Sequence, residues 1–325
     1  MAAEFEGKPT DAKAGAGDEI HGNFAKAFRR QPGAGQRMSG FAIPNYVGIG
    51  CRRCASSWTH RVLNEHPDVG KRKEGGLHFF SDNWDLGESW YRKQFEGLSG
   101  KRVVVDFSIS YSYPEHLATV PARIFSCLPK AKLFIVVRHP AERAYSDYLR
   151  SIRMGELNKG ISFNKACEDY PVLLARGLYG QILGAYLKYF DAKNMCVLFY
   201  EDLLKGADIF LRPLFDFMGI DLIEGMAAMA KREKSGGKVK SEGVNRVLLG
   251  TKRRVDSAMA ACGMEDMWDS IKARSVGAWG ALLAMNHQKK VVLSKGDKKF
   301  VAPYFREDVQ RFSEISGREL PHWLE

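Results

Sequence analysis

Two arginines, two cysteines and two adjacent serines crowd the segment GIGCRRCASSWTHRVLNEHP, Gly48 to Pro67, and three chemistries use such residues. Cys51 and Cys54 have the spacing of a redox pair, since a helix N-terminus depresses a thiol pKa. Against this, both intervening residues are arginine and the helix starts late. A zinc site needs four ligands, and no second Cys-x-x-Cys or nearby histidine pair supplies the rest, so no metal is expected. Anion binding uses more of the segment. A strand, a glycine-bearing turn and a helix start turn backbone N–H groups and a positive dipole end toward an anion. Ser56 and Ser57 add hydroxyls, and Arg53 adds a permanent charge with forked donors. An ordinary strand-to-helix turn with solvated arginines is the plain alternative, and the segment is not the triphosphate loop GxxxxGK[ST].

Two further stretches carry chemistry. In IVVRHPAERAYSDYLRSIRMG, Arg138 stands at the carboxyl edge of a strand and Ser146 on the following helix. Such residues converge where parallel sheets bind ligands. The other is KRKEGGLHFFSDNW, a basic stretch that carries Glu74 and His78, whose plain reading is a surface glutamate beside two lysines.

The elements that must position these groups alternate. Tyr46, Val47 and Ile49 suit a short strand, and a helix starts at Ser56 or Ser57 and stops before His66-Pro67. Arg102 to Phe107 and Lys132 to Arg138 read as buried parallel strands with a short helix, PARIFSCLP, between them. A helix follows Pro140 and runs toward Gly155, with Tyr145, Tyr148, Leu149 and Ile152 at helical spacing. One longer helix is predicted over LLARGLYGQILGAYLKYF, then a strand over MCVLFYEDL, then helix through LRPLFDFMG. The pattern predicts an α/β fold: a single domain with a mostly parallel central sheet flanked by helices. Residues 1–40 read as a flexible leader and 41–325 as the domain. SGGKVKSEG reads as a loop, 251–288 as weakly helical, and FREDVQRFSEISG as a final helix before a tail that packs through Trp323.

With 325 residues, 45% apolar and 27% charged, the composition is that of a soluble globular protein. No stretch has the roughly 18 consecutive apolar residues of a membrane span. The N-terminus lacks a signal-peptide pattern, which predicts a cytoplasmic location. Six scattered cysteines do not make a disulfide scaffold. A net charge of +11 permits nucleic acid, an acidic surface or a polyanionic ligand as partner. The basic clusters lack any nucleic-acid-binding pattern, so no nucleic-acid partner is expected, and oligomeric state is not legible.

The first segment resembles the 5'-phosphosulfate loop of sulfotransferases that use 3'-phosphoadenosine 5'-phosphosulfate, Lys-x-Gly-Thr-Thr before a helix ending near His-Pro. Arg53 takes the lysine position, Ala55 the glycine, and Ser56 and Ser57 the threonines. The second is similar to the family's 3'-phosphate segment, with Arg138 and Ser146 as its ligands. FSISYSYP resembles a Ser-Pro-x-Tyr segment with Ser108 and Tyr111 in register and Ile109 in place of proline. GLYGQILGAYLKYF is similar to the Gly-x-Tyr helix, and VLFYEDL to a strand ending Tyr-Glu-Asp-Leu. The likeness covers about residues 44–220, in the style of bacterial and carbohydrate sulfotransferases, and leaves 221–325 as a variable helical part.

The resemblance implies a P-loop-like fold and sulfuryl transfer to a hydroxyl or amine of a small-molecule or glycan acceptor, with release of 3'-phosphoadenosine 5'-phosphate. It implies a donor site formed by Arg53, Cys54, Ala55, Ser56, Ser57, Trp58, Arg138, Ser146 and Tyr179, the last touching the adenosine, with Arg53 also neutralising the leaving phosphate. KRKEGGLHFF resembles the family's Lys-Glu-x-His-Phe-Phe segment with two extra residues. If Lys73-Glu74 is in register, Glu74 is the base; if the phenylalanine pair is, His78 takes its place. A nucleotide kinase, which should show a loop lysine and need magnesium, and a non-catalytic nucleotide-binding protein of the same fold are the rival readings.

Overall fold

The structure is a computed structural model that describes residues 42–72, 75–223, 225 and 292–324. The leader and the stretch 251–288 lie outside these residues. In chain order the described elements are β1 (Tyr46–Gly48), α1 (Ser56–Glu65), α2 (Gly87–Lys93), β2 (Val105–Phe107), α3 (Val120–Cys127), β3 (Lys132–Val137), α4 (Pro140–Met154), α5 (Phe163–Asp169), α6 (Val172–Ala175), α7 (Tyr179–Tyr186), β4 (Met195–Phe199), α8 (Tyr200–Lys205), α9 (Ala207–Met218) and α10 (Lys295–Ser316), with short 3-10 turns between. The chain forms two compact units interleaved along the sequence. Among the described residues, the first holds 42–51, 59–72, 75–136, 181–223 and 225, and the second 52–58, 137–180 and 292–324.

The first unit contains the expected parallel sheet, in the order β2-β1-β3-β4. Tyr46, Val47 and Gly48 pair in parallel with Val105, Asp106 and Phe107 on one side and with Lys132, Leu133 and Phe134 on the other. Val47, Leu133 and Val136 are completely buried, as strands covered on both faces require. The ladder of β2 is shorter than the apolar run RVVVDF. The Asn45 side chain explains this: it donates to the Arg102 carbonyl (2.8 Å) and accepts from the Val104 N–H (2.8 Å), taking the places a neighbouring strand would fill. Val103 then makes only an isolated parallel bridge with Val69.

In the second unit α4 packs against α5, α6 and α10. Pro140 fixes the first turn of α4, and a left-handed Gly155 ends it. Val301, Phe305, Val309 and Phe312 recur at helical spacing as the buried stripe of α10. That helix begins at Lys295, ten residues before the expected start, with Ser294 as its cap: the hydroxyl accepts from the Asp297 N–H at 3.0 Å.

The single helix expected over LLARGLYGQILGAYLKYF is instead two, α6 and α7, with the chain turning at Arg176–Leu178. Gly177 is why it turns there. A Cβ at this position would lie 3.2 Å from each of the Leu174 carbonyl, the Phe305 ring and Pro140, so a side chain there would be crowded on three sides. The new helix start is satisfied by α10, whose Asp308 carboxylate accepts from the Gly180 N–H at 2.9 Å.

Candidate functional site

The donor-side residues expected from sequence all belong to the second unit. The turn between β1 and α1 places Arg53 (φ 72°) and Ala55 (φ 71°) in the left-handed region, and α1 then begins at Ser56. An L-residue pays about 1–2 kcal/mol there. Ala55 thus adopts the backbone that a glycine would hold without strain, the conformation that turns successive N–H groups toward one point.

Two neighbours on α4 hold two neighbours in the turn. The Arg53 Nε donates to the Ser146 hydroxyl at 3.1 Å, and the Arg52 Nε to the Asp147 carboxylate at 2.8 Å. The expected 5'-phosphate and 3'-phosphate segments therefore meet directly, at Arg53 and Ser146. Burial first, then the charge of Arg153, Arg150 and Arg52, pulls the Arg53 guanidinium down to about 10, with Asp147 opposing. This is a site short of negative charge.

Asp147 is 1% exposed and faces three guanidinia: Arg52, Arg143 at 3.4 Å and Arg176 at 3.8 Å. Burial alone would raise its carboxyl, but Arg143, Arg52 and Arg176 hold it below the usual carboxylate range. Arg143 is itself fully buried and donates to the Leu173 carbonyl. Glu156, just past α4, accepts from Arg150 at 2.8 Å and from the Ser151 hydroxyl at 2.8 Å.

Arg138 follows β3, with its guanidinium 2.8 Å from the Glu142 carboxylate one turn into α4. Its backbone is pinned by Tyr179, whose hydroxyl donates to the Arg138 carbonyl (2.7 Å) and accepts from the Arg138 N–H (3.3 Å). Tyr179 is completely buried, and its ring packs against Phe312 and the tail residue Trp323, at 5.5 and 5.7 Å between centroids. Its hydroxyl thus supports Arg138 from behind rather than reaching outward. Cys54 and Trp58 are also buried, the former with its sulfur 3.8 Å from the Tyr179 hydroxyl. Ser57 is exposed, Ser56 buried, and Arg53, Ala55, Arg138 and Ser146 half-buried. Sequence reading gave no separate role to Arg52 and passed over Asp147, whose signal was the stripe Arg143, Asp147, Arg150 on one face of α4.

Of the base candidates, His78 is among the described residues. Glu74 is outside the described residues. His78 belongs to the first unit and follows two glycines, and the pair after it is anchored: Phe79 and Phe80 are fully buried, with Phe79 stacked on Tyr91 at 4.3 Å. His78 has φ 52°, and its Nδ1 lies 2.6 Å from the Ser110 hydroxyl, which is 2.6 Å from that of Ser81. The His78 N–H donates to the Ser108 hydroxyl (3.0 Å), which donates to Asp106 (3.1 Å). Asp106 is completely buried and also accepts from Tyr111 (2.8 Å) and Tyr91 (3.0 Å). Burial raises its carboxyl despite these bonds. The FSISYSYP segment thus builds the floor under His78. Asp82 lies 3.8 Å from His78 Nδ1 and 3.1 Å from His116 Nε2. A Cβ at Gly76 would sit 2.9 Å from His78 Nε2, so the imidazole covers that glycine.

Comparison with known proteins gives a consistent picture. A family model described as a sulfotransferase domain matches residues 46–291. The chain is 30% identical over 168 residues to heparan sulfate glucosamine 3-O-sulfotransferase 5 of Homo sapiens, covering 48% of this chain and 47% of that protein. It is 26% identical over 223 residues to heparan sulfate glucosamine 3-O-sulfotransferase 3B1 of Mus musculus, covering 63% of this chain and 55% of the relative. The chain thus spans about half the length of these curated relatives. In fold it is similar to the crystal structure of a sulfotransferase from Alicyclobacillus acidocaldarius, with TM-score 0.59, 20% identity, 87% of this chain covered and 100% of the other.

Proposed function

The chain belongs to the sulfotransferase domain family, and from that premise we propose that it transfers a sulfuryl group from 3'-phosphoadenosine 5'-phosphosulfate to an acceptor hydroxyl or amine. The observation that carries this reading is the hydrogen bond of Arg53 to Ser146 at 3.1 Å, which joins the two segments that resemble the family's phosphate-binding segments. Arg53 and the first N–H groups of α1 would hold the 5' end of the donor, and Arg138 and Ser146 its 3'-phosphate.

The transfer breaks the bond between sulfur and the oxygen of the 5'-phosphate and forms one from sulfur to the acceptor oxygen or nitrogen, so two charges must be handled. Arg53 offsets the negative charge developing on the leaving phosphate. A base takes the proton the acceptor loses. His78 is the base we favour, because the phenylalanine pair after it is locked in the core and Ser110 fixes its Nδ1. Glu74 is the alternative.

For the acceptor, the names of the relatives point to a glycan hydroxyl, and the net charge of +11 suits an acidic glycan. A small metabolite is the second candidate. The kinase reading lacks its lysine in the turn.

The test is a calorimetric titration with 3'-phosphoadenosine 5'-phosphate beside ADP and ATP, without magnesium. Micromolar binding of the bisphosphate with at least a tenfold preference, about 1.4 kcal/mol, is expected, followed by transfer of labelled sulfate to an anionic glycan. Equal binding of all three nucleotides, or none, would sink the donor assignment. Binding without transfer to any glycan or small acceptor would favour a non-catalytic protein.

A further inference from the structure

We propose that Asp147 is a positioning residue for the donor: its buried carboxylate sets the phosphate-binding turn by holding Arg52, in register with Ser146 holding Arg53. This rests on the reading of that turn as the 5'-phosphate side of the donor site. The contacts run in pairs. Two consecutive residues of the turn are held by two consecutive residues of α4, at 2.8 Å for Arg52 with Asp147 and 3.1 Å for Arg53 with Ser146. A single contact would let the turn pivot; two adjacent ones fix both its position and its rotation.

The turn needs such an anchor, because Arg53 and Ala55 both stand in the left-handed region that side chains disfavour. Asp147 suits the task because it cannot move. It is 1% exposed and faces Arg143 at 3.4 Å on its own helix and Arg176 at 3.8 Å, while Arg143 is tied in turn to the Leu173 carbonyl. Arg52 also faces Glu156, but at 3.9 Å and with that carboxylate half-exposed, so Asp147 is its closer and more rigid partner. A core ion pair with no tie to ligand would explain the burial of Asp147 but not its engagement of the turn residue beside Arg53.

The two explanations separate by ligand. Wild type, Asp147→Asn and Arg52→Met are titrated with 3'-phosphoadenosine 5'-phosphate and with adenosine 3'-phosphate, which lacks the 5' group. If Asp147 sets the turn, each variant loses at least tenfold in affinity for the bisphosphate and less than twofold for the 3'-phosphate, and the double variant is no worse than the poorer single one. Equal losses on both ligands, unchanged bisphosphate binding, or additive losses in the double variant overturn the proposal. Should Asp147→Asn lack a cooperative melt, Arg52→Met decides alone, since its side chain is 19% exposed and its removal breaks the same pair from the outer end. Wild type that binds the 3'-phosphate as well as the bisphosphate would overturn the reading of the turn itself, and the positioning role with it.

Discussion

Arg53→Met should make the ligand-free protein more stable and a far poorer donor binder, two changes of opposite sense from one substitution. Burial and the neighbouring guanidinia bring Arg53 from the ordinary arginine range down to about 10. At about 1.4 kcal/mol for each tenfold change in proton affinity, the charged form bears a penalty of about 3 kcal/mol in the folded state. The sign follows from linkage. Below about pH 10 both folded and unfolded chains carry the charge and only the folded one bears the penalty, which fades as pH rises above that. Methionine keeps most of the side-chain volume and removes the charge, and the lost hydrogen bond to Ser146 returns about 1 kcal/mol. The balance is a gain of about 1–2 kcal/mol, read from urea unfolding at neutral pH. Turnover should fall by about 10²–10³, the cost of removing one preorganised donor from a developing oxyanion. A variant that is less stable than wild type, or that binds 3'-phosphoadenosine 5'-phosphate as tightly, would refute the reasoning.

Ala55→Gly relieves a left-handed alanine and adds backbone freedom to the unfolded chain; the first effect is the larger, so unfolding free energy should rise by about 0.5–1 kcal/mol. Destabilisation in the same denaturant titration would mean that the turn is held in another conformation in solution. Tyr179→Phe removes the hydroxyl that bonds the Arg138 carbonyl and N–H, so affinity for adenosine 3'-phosphate should drop about fivefold to tenfold. Affinity for adenosine 5'-phosphate should hold, and a loss on that ligand instead would place Tyr179 at the wrong end of the donor. For the base, His78→Gln should lower kcat/KM by about 10²–10⁴-fold with the affinity for 3'-phosphoadenosine 5'-phosphate unchanged, and wild-type-like turnover would pass the role to Glu74.

The α/β class, the parallel sheet and the positions of β1, β3, α4 and β4 were legible because their signals are local: buried apolar runs, a proline at the first helical turn, a glycine at the last. The start of α1 at Ser56 was legible for the same reason. What escaped was set by partners distant in sequence. The break between α6 and α7 depends on Pro140 and Phe305 crowding Gly177, and on Asp308 meeting the Gly180 N–H. No periodicity within LLARGLYGQILGAYLKYF carries that information. In the candidate site, Arg53, Arg138 and Ser146 were picked by type and position, whereas the bonds of the Tyr179 hydroxyl to the Arg138 backbone were not legible. An aromatic at helical spacing looks the same whichever side it serves. Asp147 was passed over because a carboxylate beside an expected anion site reads as misplaced until its three guanidinium partners are seen.

Arginine in place of lysine at position 53 bears on how the leaving group departs. Lysine can protonate a bridging oxygen, with an ordinary pKa of about 10.4, while an ordinary arginine cannot. Burial has brought Arg53 to about 10, which gives the ligand-free turn a lysine-like acidity. That resemblance does not survive binding, because a phosphosulfate beside the guanidinium favours the charged form and pushes the value back up. Nor is a proton needed: the departing 5'-phosphate is a group whose second ionisation lies near 6, about as for other phosphate esters, so it leaves as a stable anion at neutral pH. What departure requires is charge held in place while the sulfur–oxygen bond lengthens, which a guanidinium fixed by Ser146 supplies. The turn can therefore exchange lysine for arginine at small cost but cannot lose the charge, so Arg53→Met is expected to disable the site even as it relieves the folded state of a buried charge.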